Sequence, residues 1–253
     1  MRALVLSFLI VVGGCGQVEE KKQHKSQPAS AQDKTGKFSL SREEKAQLLR
    51  LARLAIQTAL KKVNDDPTFF RRNPTEGRRI IEEVLEEVTR NFKPSENLKR
   101  KCGVFVTLRT PRLKPDFCGC LGIFEPELPL YKQVPERAMA SAFYDSRFWG
   151  FRDVTTKFLK EEVKIEVSVL TPPRPARIDE VVLGKHGVLV MYHGRGGTYL
   201  PIVGEELRKD GEIKTGRDFV IHCVKYKAGL PPSVINDADF KLFVYEALRF
   251  EEE

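Results

Sequence analysis

The stretch FCGCLG, residues 117–122, places a cysteine on each side of a glycine. Cysteine thiolates bind metals, exchange disulfides and attack electrophilic atoms. We expect the stretch to be a β-strand in which Cys118 and Cys120 face opposite sides, so that they are badly placed to share one metal ion. Zinc sites also need further ligands at short spacing, whereas Cys102 and Cys223 stand alone. The sequence therefore predicts no metal site.

Cys120 is the candidate nucleophile. A catalytic cysteine needs a lowered thiol pKa and a nearby base, and His186, His222 and Asp145 are the residues considered for that role. The alternative is that Cys120 is a small buried residue beside glycines that allow close backbone contact. The residues leave both alternatives open, so the sequence neither predicts nor excludes an enzyme.

The N-terminal residues MRALVLSFLIVVGGCGQ predict an exported protein. Arg2 precedes an apolar run of about ten residues, which is too short to span a bilayer. The VVGGC ending resembles the processing site of bacterial lipoproteins, where cleavage leaves an acylated cysteine. We therefore expect a lipoprotein signal peptide over residues 1–15, with Cys15 carrying acyl chains such as palmitate. The expected location is a membrane anchor on the exported face of a bacterial envelope, periplasmic or at the cell surface.

An exported location permits disulfides. Apart from Cys15, the chain has four cysteines, which allow three complete pairings that the sequence cannot rank. A disulfide that uses Cys102 or Cys118 is the candidate.

Composition limits the other classes of function. The chain has 253 residues, 41% of them hydrophobic, and a formal net charge of +8. This length suggests one or two domains. Basic and acidic residues are interleaved, and zinc-finger spacing is absent from the sequence, so we expect no nucleic-acid partner.

Residues 16–39 are almost devoid of apolar side chains and are predicted to be a flexible tether.

The rest of the chain alternates between helical and strand patterns. Helices are predicted after the capping-box pair Ser41 and Glu44, from Pro74, from Pro135 and over GRDFVIHCVKYKAG. Strands are predicted over CGVFVTLRT, FCGCLGIF, VKIEVSVL and FKLFVYEALRF, and HGRGG suits the turn of a hairpin. In VKIEVSVL, Glu166 is expected to face solvent or a groove. The irregular order predicts an α+β fold with mainly antiparallel sheets and flanking helices.

Nine stretches together resemble the AMMECR domain family, named for the Alport syndrome, midface hypoplasia and elliptocytosis chromosomal region. In order they are LLRLARLAI, GVFVTL, CGCLG, SAFYDSRF, IEVSVLTPP, GKHGVLV, RGGTYLPIV, CVKYKAGLPP and KLFVYEALRFEE. The resemblance implies one AMMECR-type domain over residues 40–253, with two lobes and a groove between them. It offers no counterpart for the helix at residues 75–92. The family has no established reaction, and its prokaryotic members are associated with Memo-like and radical-SAM proteins.

The family signature reads leucine, arginine, glycine, cysteine, isoleucine, glycine. Gly119, Cys120 and Gly122 match it, whereas Cys118 replaces the arginine. An arginine at such a place suggests an anionic ligand, so its loss weakens anion binding here. The residues expected to line the groove are Gly119, Gly122, Arg147, Glu166 and Arg195.

Two functions follow as hypotheses. The first is a lipid-anchored binding module that presents its groove to a small molecule or a protein partner. The second is a cysteine-dependent enzyme that uses Cys120 with His186 or Asp145. The sequence names no cofactor.

Overall fold

The computed structural model describes residues 38–114 and 116–253. Cys15 and nearly all of the predicted tether lie outside these residues. Within the described part, no helix combines the length and apolar character needed to cross a bilayer.

The described chain alternates seven α-helices with eight strands. The helices are α1 (Arg42–Lys62), α2 (Thr68–Arg72), α3 (Pro74–Thr89), α4 (Leu130–Phe143), α5 (Thr156–Glu161), α6 (Pro201–Lys209) and α7 (Gly216–Tyr226). The strands are β1 (Gly103–Arg109), β2 (Phe117–Ile123), β3 (Lys164–Leu170), β4 (Arg174–Pro175), β5 (Gly187–Tyr192), β6 (Arg195–Tyr199), β7 (Lys241–Tyr245) and β8 (Ala247–Glu251).

These elements form two compact units, each with its own four-stranded sheet. The larger unit takes the described residues up to 172 together with 248–253, and the smaller unit takes residues 173–247. The strand order is β2-β1-β3-β8 in the larger unit and β4-β7-β5-β6 in the smaller one. The pairings of β1 with β2 and β3, and of β7 with β4 and β5, are antiparallel. The predicted α+β class, with antiparallel sheets and flanking helices, is confirmed.

The larger unit is built on the apolar stripe of α1. The predicted capping box is present, since Ser41 Oγ accepts from Glu44 N at 3.1 Å and Glu44 Oε2 accepts from Ser41 N at 2.7 Å. Leu48, Ile56 and Leu60 are completely buried. The stripe packs against α3, α4 and β3, while α4 also covers β1 and β2. One face of the first sheet is therefore buried under helices.

The smaller unit has a separate core around Val188, Val190 and Phe219, all completely buried. Strands β5 and β6 form the predicted hairpin. Its two connecting residues, His193 and Gly194, have φ angles of 46° and 75°. Left-handed conformations at both positions match the right-handed twist of the flanking strands.

Two sequence predictions of element boundaries are wrong. Helix α4 begins at Leu130 rather than at Pro135, which lies inside the helix. The expected single strand over FKLFVYEALRF is two strands, because the chain leaves the smaller sheet after Tyr245 and joins the larger sheet at Ala247.

Candidate functional site

A row of three polar residues crosses the first sheet. Thr107 of β1 lies opposite Cys120 of β2 on one side and opposite Glu166 of β3 on the other. Directly paired residues of neighbouring strands share a face. Since Val106 and Leu108 point into the core under the helices, this row lies on the other face. We call Cys120, Thr107 and Glu166 the Thr107 row.

The backbone of Cys120 is held by an ion pair that follows α4. Asp145 Oδ2 accepts from Cys120 N at 2.8 Å, and Arg147 Nη2 donates to Cys120 O at 3.1 Å. Asp145 and Arg147 also bind each other through two side-chain hydrogen bonds and one from the backbone N–H of Arg147. Because β2 is an edge strand, these contacts satisfy backbone groups that the ladder leaves open. The structure thus brings three sequence-predicted site residues together.

The thiol of Cys120 sits in a protected position. The hydroxyl of Thr107 donates to Cys120 Sγ at 3.2 Å. Burial raises the pKa of Cys120, the Thr107 hydrogen bond and the charge of Arg147 oppose that rise in part, and the charges of Asp145 and Glu166 add smaller increases. The carboxylate of Asp145 is engaged by the backbone N–H of Cys120 and by Arg147, so it is not placed as a base for the thiol.

Glu166 is the charged member of the row, and its side chain is only 1% exposed. Its Oε2 accepts from Arg109 Nε at 2.9 Å and from Arg249 Nη2 at 2.6 Å. Burial raises the pKa of Glu166, but the hydrogen bonds and charges of Arg249 and Arg109 outweigh it and hold the pKa below its usual value. The carboxylate is therefore ionised at neutral pH. Of the two expectations for Glu166, exposure to solvent is wrong, and a position in a groove stays a prediction.

The other oxygen of Glu166 is unusual. Oε1 is buried and accepts no hydrogen bond from any residue that the structure describes. A buried polar atom without a partner costs about 1–3 kcal/mol, and such atoms in native proteins call for an explanation.

The two glycines of the signature allow close packing. A Cβ on Gly119 would lie 2.1 Å from Ser141 O, and one on Gly122 would lie 2.3 Å from the ring of Phe105. The approach of α4 at Gly119 lets Ser141 Oγ accept from Leu121 N at 2.9 Å and donate to Val106 O at 2.8 Å. The two glycines therefore serve close packing, while Cys120 itself is partly exposed.

Cys118 is the extra residue of a β-bulge in β2. Side chains two residues apart share a face in a regular strand, so the reason given for opposite faces is wrong. Leu108 pairs with Gly119 but Arg109 pairs with Phe117, which leaves Cys118 as the extra residue. Its side chain lies in the hydrophobic core, where burial raises its pKa to about 12.

The cysteines form no disulfide in the described chain. Cys102, Cys118, Cys120 and Cys223 are all free thiols, so the bridge considered for Cys102 or Cys118 is not formed in this structure. Among residues 38–114 and 116–253, His, Cys, Asp and Glu side chains form no cluster that could hold a metal ion.

The two remaining predicted site residues, His186 and Arg195, belong to the smaller unit. Val182 N donates to His186 Nδ1 at 3.2 Å, and His186 N donates to Val182 O at 3.0 Å. His186 therefore fixes a turn. Arg195 opens β6 opposite Tyr192, and its guanidinium lies close to Gly229.

A model of the AMMECR1 family matches residues 75–250. The chain belongs to the AMMECR1 family. The match includes α3 from Thr75 onward, a helix for which the resemblance offered no counterpart. The predicted start of the domain at residue 40 stays a prediction.

Three similar proteins from archaea illustrate the relationship. Protein MK0488 of Methanopyrus kandleri is 40% identical over 169 residues, which are 63% of this chain and 76% of that protein. Protein NEQ441 of Nanoarchaeum equitans is 34% identical over 188 residues, 70% of this chain and 96% of that protein. The crystal structure of the uncharacterised protein PH0010 from Pyrococcus horikoshii is 29% identical, with a TM-score of 0.62, and the match covers 83% of this chain and 92% of that one.

Sequence reasoning missed two members of the candidate site, Thr107 and Arg249. Thr107 alternates with the core residues of β1, and its register opposite Cys120 depends on the strand pairing. Arg249 lies 83 positions after Glu166, its hydrogen-bond partner. The sequence offers one signal for such a partner, which is the carboxylate of Glu166 inside an apolar strand, because a buried charge needs a cationic partner.

Proposed function

We propose that this AMMECR1 protein is a lipid-anchored binding module whose ligand donates a hydrogen bond to Oε1 of Glu166. The observation that supports the proposal is the buried, ionised carboxylate with one oxygen used by Arg109 and Arg249 and the other without a partner. An N–H or O–H group of a ligand would remove the desolvation cost of Oε1. The ligand class is therefore a small molecule or peptide that offers an amine, amide or hydroxyl donor.

The arginines order the Glu166 carboxylate before a ligand arrives. Arg109 also bonds Asp116 at 3.2 Å, and Arg249 also bonds Glu251 at 3.2 Å. These pairs hold the Glu166 carboxylate in one orientation, which lowers the ordering cost of binding.

The alternative, an enzyme that uses Cys120, has less support. A nucleophilic thiol needs a lowered pKa, whereas burial raises the pKa of Cys120. The pH profile of Cys120 alkylation by iodoacetamide, read by peptide mass spectrometry, tests this point. We expect the rate to keep rising up to alkaline pH; a plateau near neutral pH would instead favour the enzyme.

The binding proposal is tested by a thermal-shift screen of primary amines, amides, amino acids and dipeptides. Compounds that raise the Tm of the wild-type protein are retested on Glu166→Gln, with Glu162→Gln as the control for loss of a carboxylate in the same unit. We expect Glu166→Gln to lose the ligand-induced shift and Glu162→Gln to keep it. Ligands that shift all three proteins equally would place binding elsewhere.

The anchor is a separate part of the proposal, and its support is the VVGGC segment. Stable attachment requires more than one acyl chain, as bacterial lipoproteins carry. In a bacterial host, we expect the wild-type protein in the membrane fraction and Cys15→Ala outside it, with Cys102→Ala as the control. Equal partition of Cys15→Ala and the wild type would refute the anchor and leave the ligand site untouched.

A further inference from the structure

Two large aromatic side chains project from one turn of the larger unit. Trp149 is 44% exposed and Phe151 is 66% exposed, which places both among the few exposed large apolar residues of the described chain. Gly150 lies between them with a φ angle of 71° and open space around the position of a Cβ. We call residues 149–151 the aromatic turn.

Hydrogen bonds to neighbouring backbone groups hold the aromatic turn in place. Trp149 Nε1 donates to Phe143 O at 3.1 Å, and Phe151 N donates to Phe148 O at 3.0 Å. Phe148 itself is buried, only 3% exposed, and anchors the turn. Exposure of the two rings is therefore a property of the fold, since the backbone around them has defined partners.

A basic loop lies beside the aromatic turn. Arg152 Nη2 donates to Lys114 O at 2.7 Å, and Arg152 Nη1 donates to Phe117 O at 2.9 Å. These bonds attach the segment before β2 to the turn. Lys114 in that segment is exposed, whereas the exposed Arg112 pairs with Glu162 at 3.8 Å. Cationic and aromatic groups thus share one surface.

We propose that the aromatic turn inserts into the interface of a lipid bilayer that carries anionic headgroups. Tryptophan is enriched at the headgroup level, and because the N–H of Trp149 already donates to Phe143 O, its ring can enter the interface without leaving a donor unpaired. Basic residues next to the inserted rings are attracted to anionic lipids. The inference extends the proposed membrane anchor, which would bring the turn to a bilayer. It depends on Trp149 and Phe151, whereas the anchor depends on Cys15.

The chain contains a single tryptophan, so its fluorescence reports on the turn directly. The full chain with Cys15→Ala is mixed with vesicles of phosphatidylcholine and phosphatidylglycerol whose acyl chains carry bromine. We expect Trp149 emission to move to shorter wavelength and to be quenched by the brominated lipid. Phe151→Ser is expected to lose most of the quenching, whereas Leu54→Ser, which removes an exposed apolar side chain from α1, is expected to retain it.

Absence of quenching in the Cys15→Ala chain would overturn the proposal, whether or not wild-type Cys15 anchors the protein in cells. Quenching that survives Phe151→Ser would overturn the role given to Phe151, because Trp149 would then enter the bilayer without it. Equal quenching by vesicles without phosphatidylglycerol would show that Lys114 and Arg152 do not attract anionic lipid. If this surface instead binds a protein partner, the vesicles would not quench Trp149, and the aromatic turn would be covered only in the complex with that partner.

Discussion

At Cys120, the contacts that decide the chemistry are made by the backbone as much as by the thiol. Asp145 and Arg147 hold the N–H and C=O groups, and Thr107 holds the sulfur. A cysteine between glycines is a reasonable nucleophile on sequence alone, because the sequence does not show which groups surround it. Here the surroundings fix the position of Cys120 and oppose ionisation of its thiol.

Replacement of Asp145 by asparagine is expected to destabilise the larger unit. The change removes the charge that pairs with Arg147 and weakens the bond from Cys120 N, and both groups are largely buried. Removing one partner of a buried ion pair leaves an uncompensated charge, and we expect a loss of about 3 kcal/mol. Urea unfolding followed by circular dichroism measures it.

The matched control is Asp153→Asn, because Asp153 pairs with Arg71 in a more exposed position. We expect that variant to lose less than about 1 kcal/mol. Equal losses in the two variants would mean that the contacts to Cys120 add nothing.

At the scale of elements, the approach of α4 to β2 depends on Gly119. A methyl group there would lie 2.1 Å from Ser141 O, which is backbone and cannot rotate away. We expect Gly119→Ala to cost about 3 kcal/mol, at the upper end of the usual range for overpacking. Gly204→Ala in α6 is the control, since the nearest atom there is a ring carbon of Phe219 at 3.3 Å. Similar unfolding free energies for the two variants would contradict this account of the signature.

Sequence patterns predicted the elements whose signals are local. The capping box of α1, the alternation in β3 and the turn at His193 and Gly194 are of this kind. The bulge at Cys118 and the burial of Glu166 were beyond the sequence, because strand pairing decides both. The break between β7 and β8 was missed because the apolar pattern continues across Glu246 while the chain changes sheets.

A histidine links α7 to β6. Tyr199 Oη lies 2.9 Å from His222 Nδ1, and Glu212 Oε2 lies 3.3 Å from His222 Nε2. Burial lowers the pKa of His222 despite the opposing effect of Glu212. The folded protein thus prefers the neutral ring, while the unfolded chain takes up a proton below pH ~6.5. The contribution of His222 to stability is complete above that pH and is lost as the pH falls through the folded-state pKa.

We therefore expect the unfolding free energy of the wild type to fall between pH 7 and pH 5 more steeply than that of His222→Asn, as measured by urea titrations at each pH. His193→Asn is the control because His193 is exposed. A pH slope unchanged by His222→Asn would show that other groups carry the dependence.

At the scale of the whole molecule, the chain leaves the larger unit after residue 172 and returns to it at residue 248. The returning strand β8 completes the edge of the first sheet beside β3. Its side chains matter as well as its backbone, since Arg249 binds Glu166 and Leu248 and Phe250 pack against the core. The candidate site therefore depends on the last residues of the chain.

Deletion of residues 247–253 tests that dependence. The truncated chain loses Arg249 from Glu166 and also Glu252, which accepts from Arg53 Nε at 2.7 Å and from Ile165 N at 2.8 Å. With the partly buried Leu248 and Phe250 removed as well, we expect the larger unit to lose at least about 3 kcal/mol of unfolding free energy. The single change Glu252→Gln keeps β8 and is expected to cost much less. If the truncated protein unfolds at the same urea concentration as the full chain, β8 does not stabilise the sheet. In that truncated protein, Arg109 alone would orient the Glu166 carboxylate.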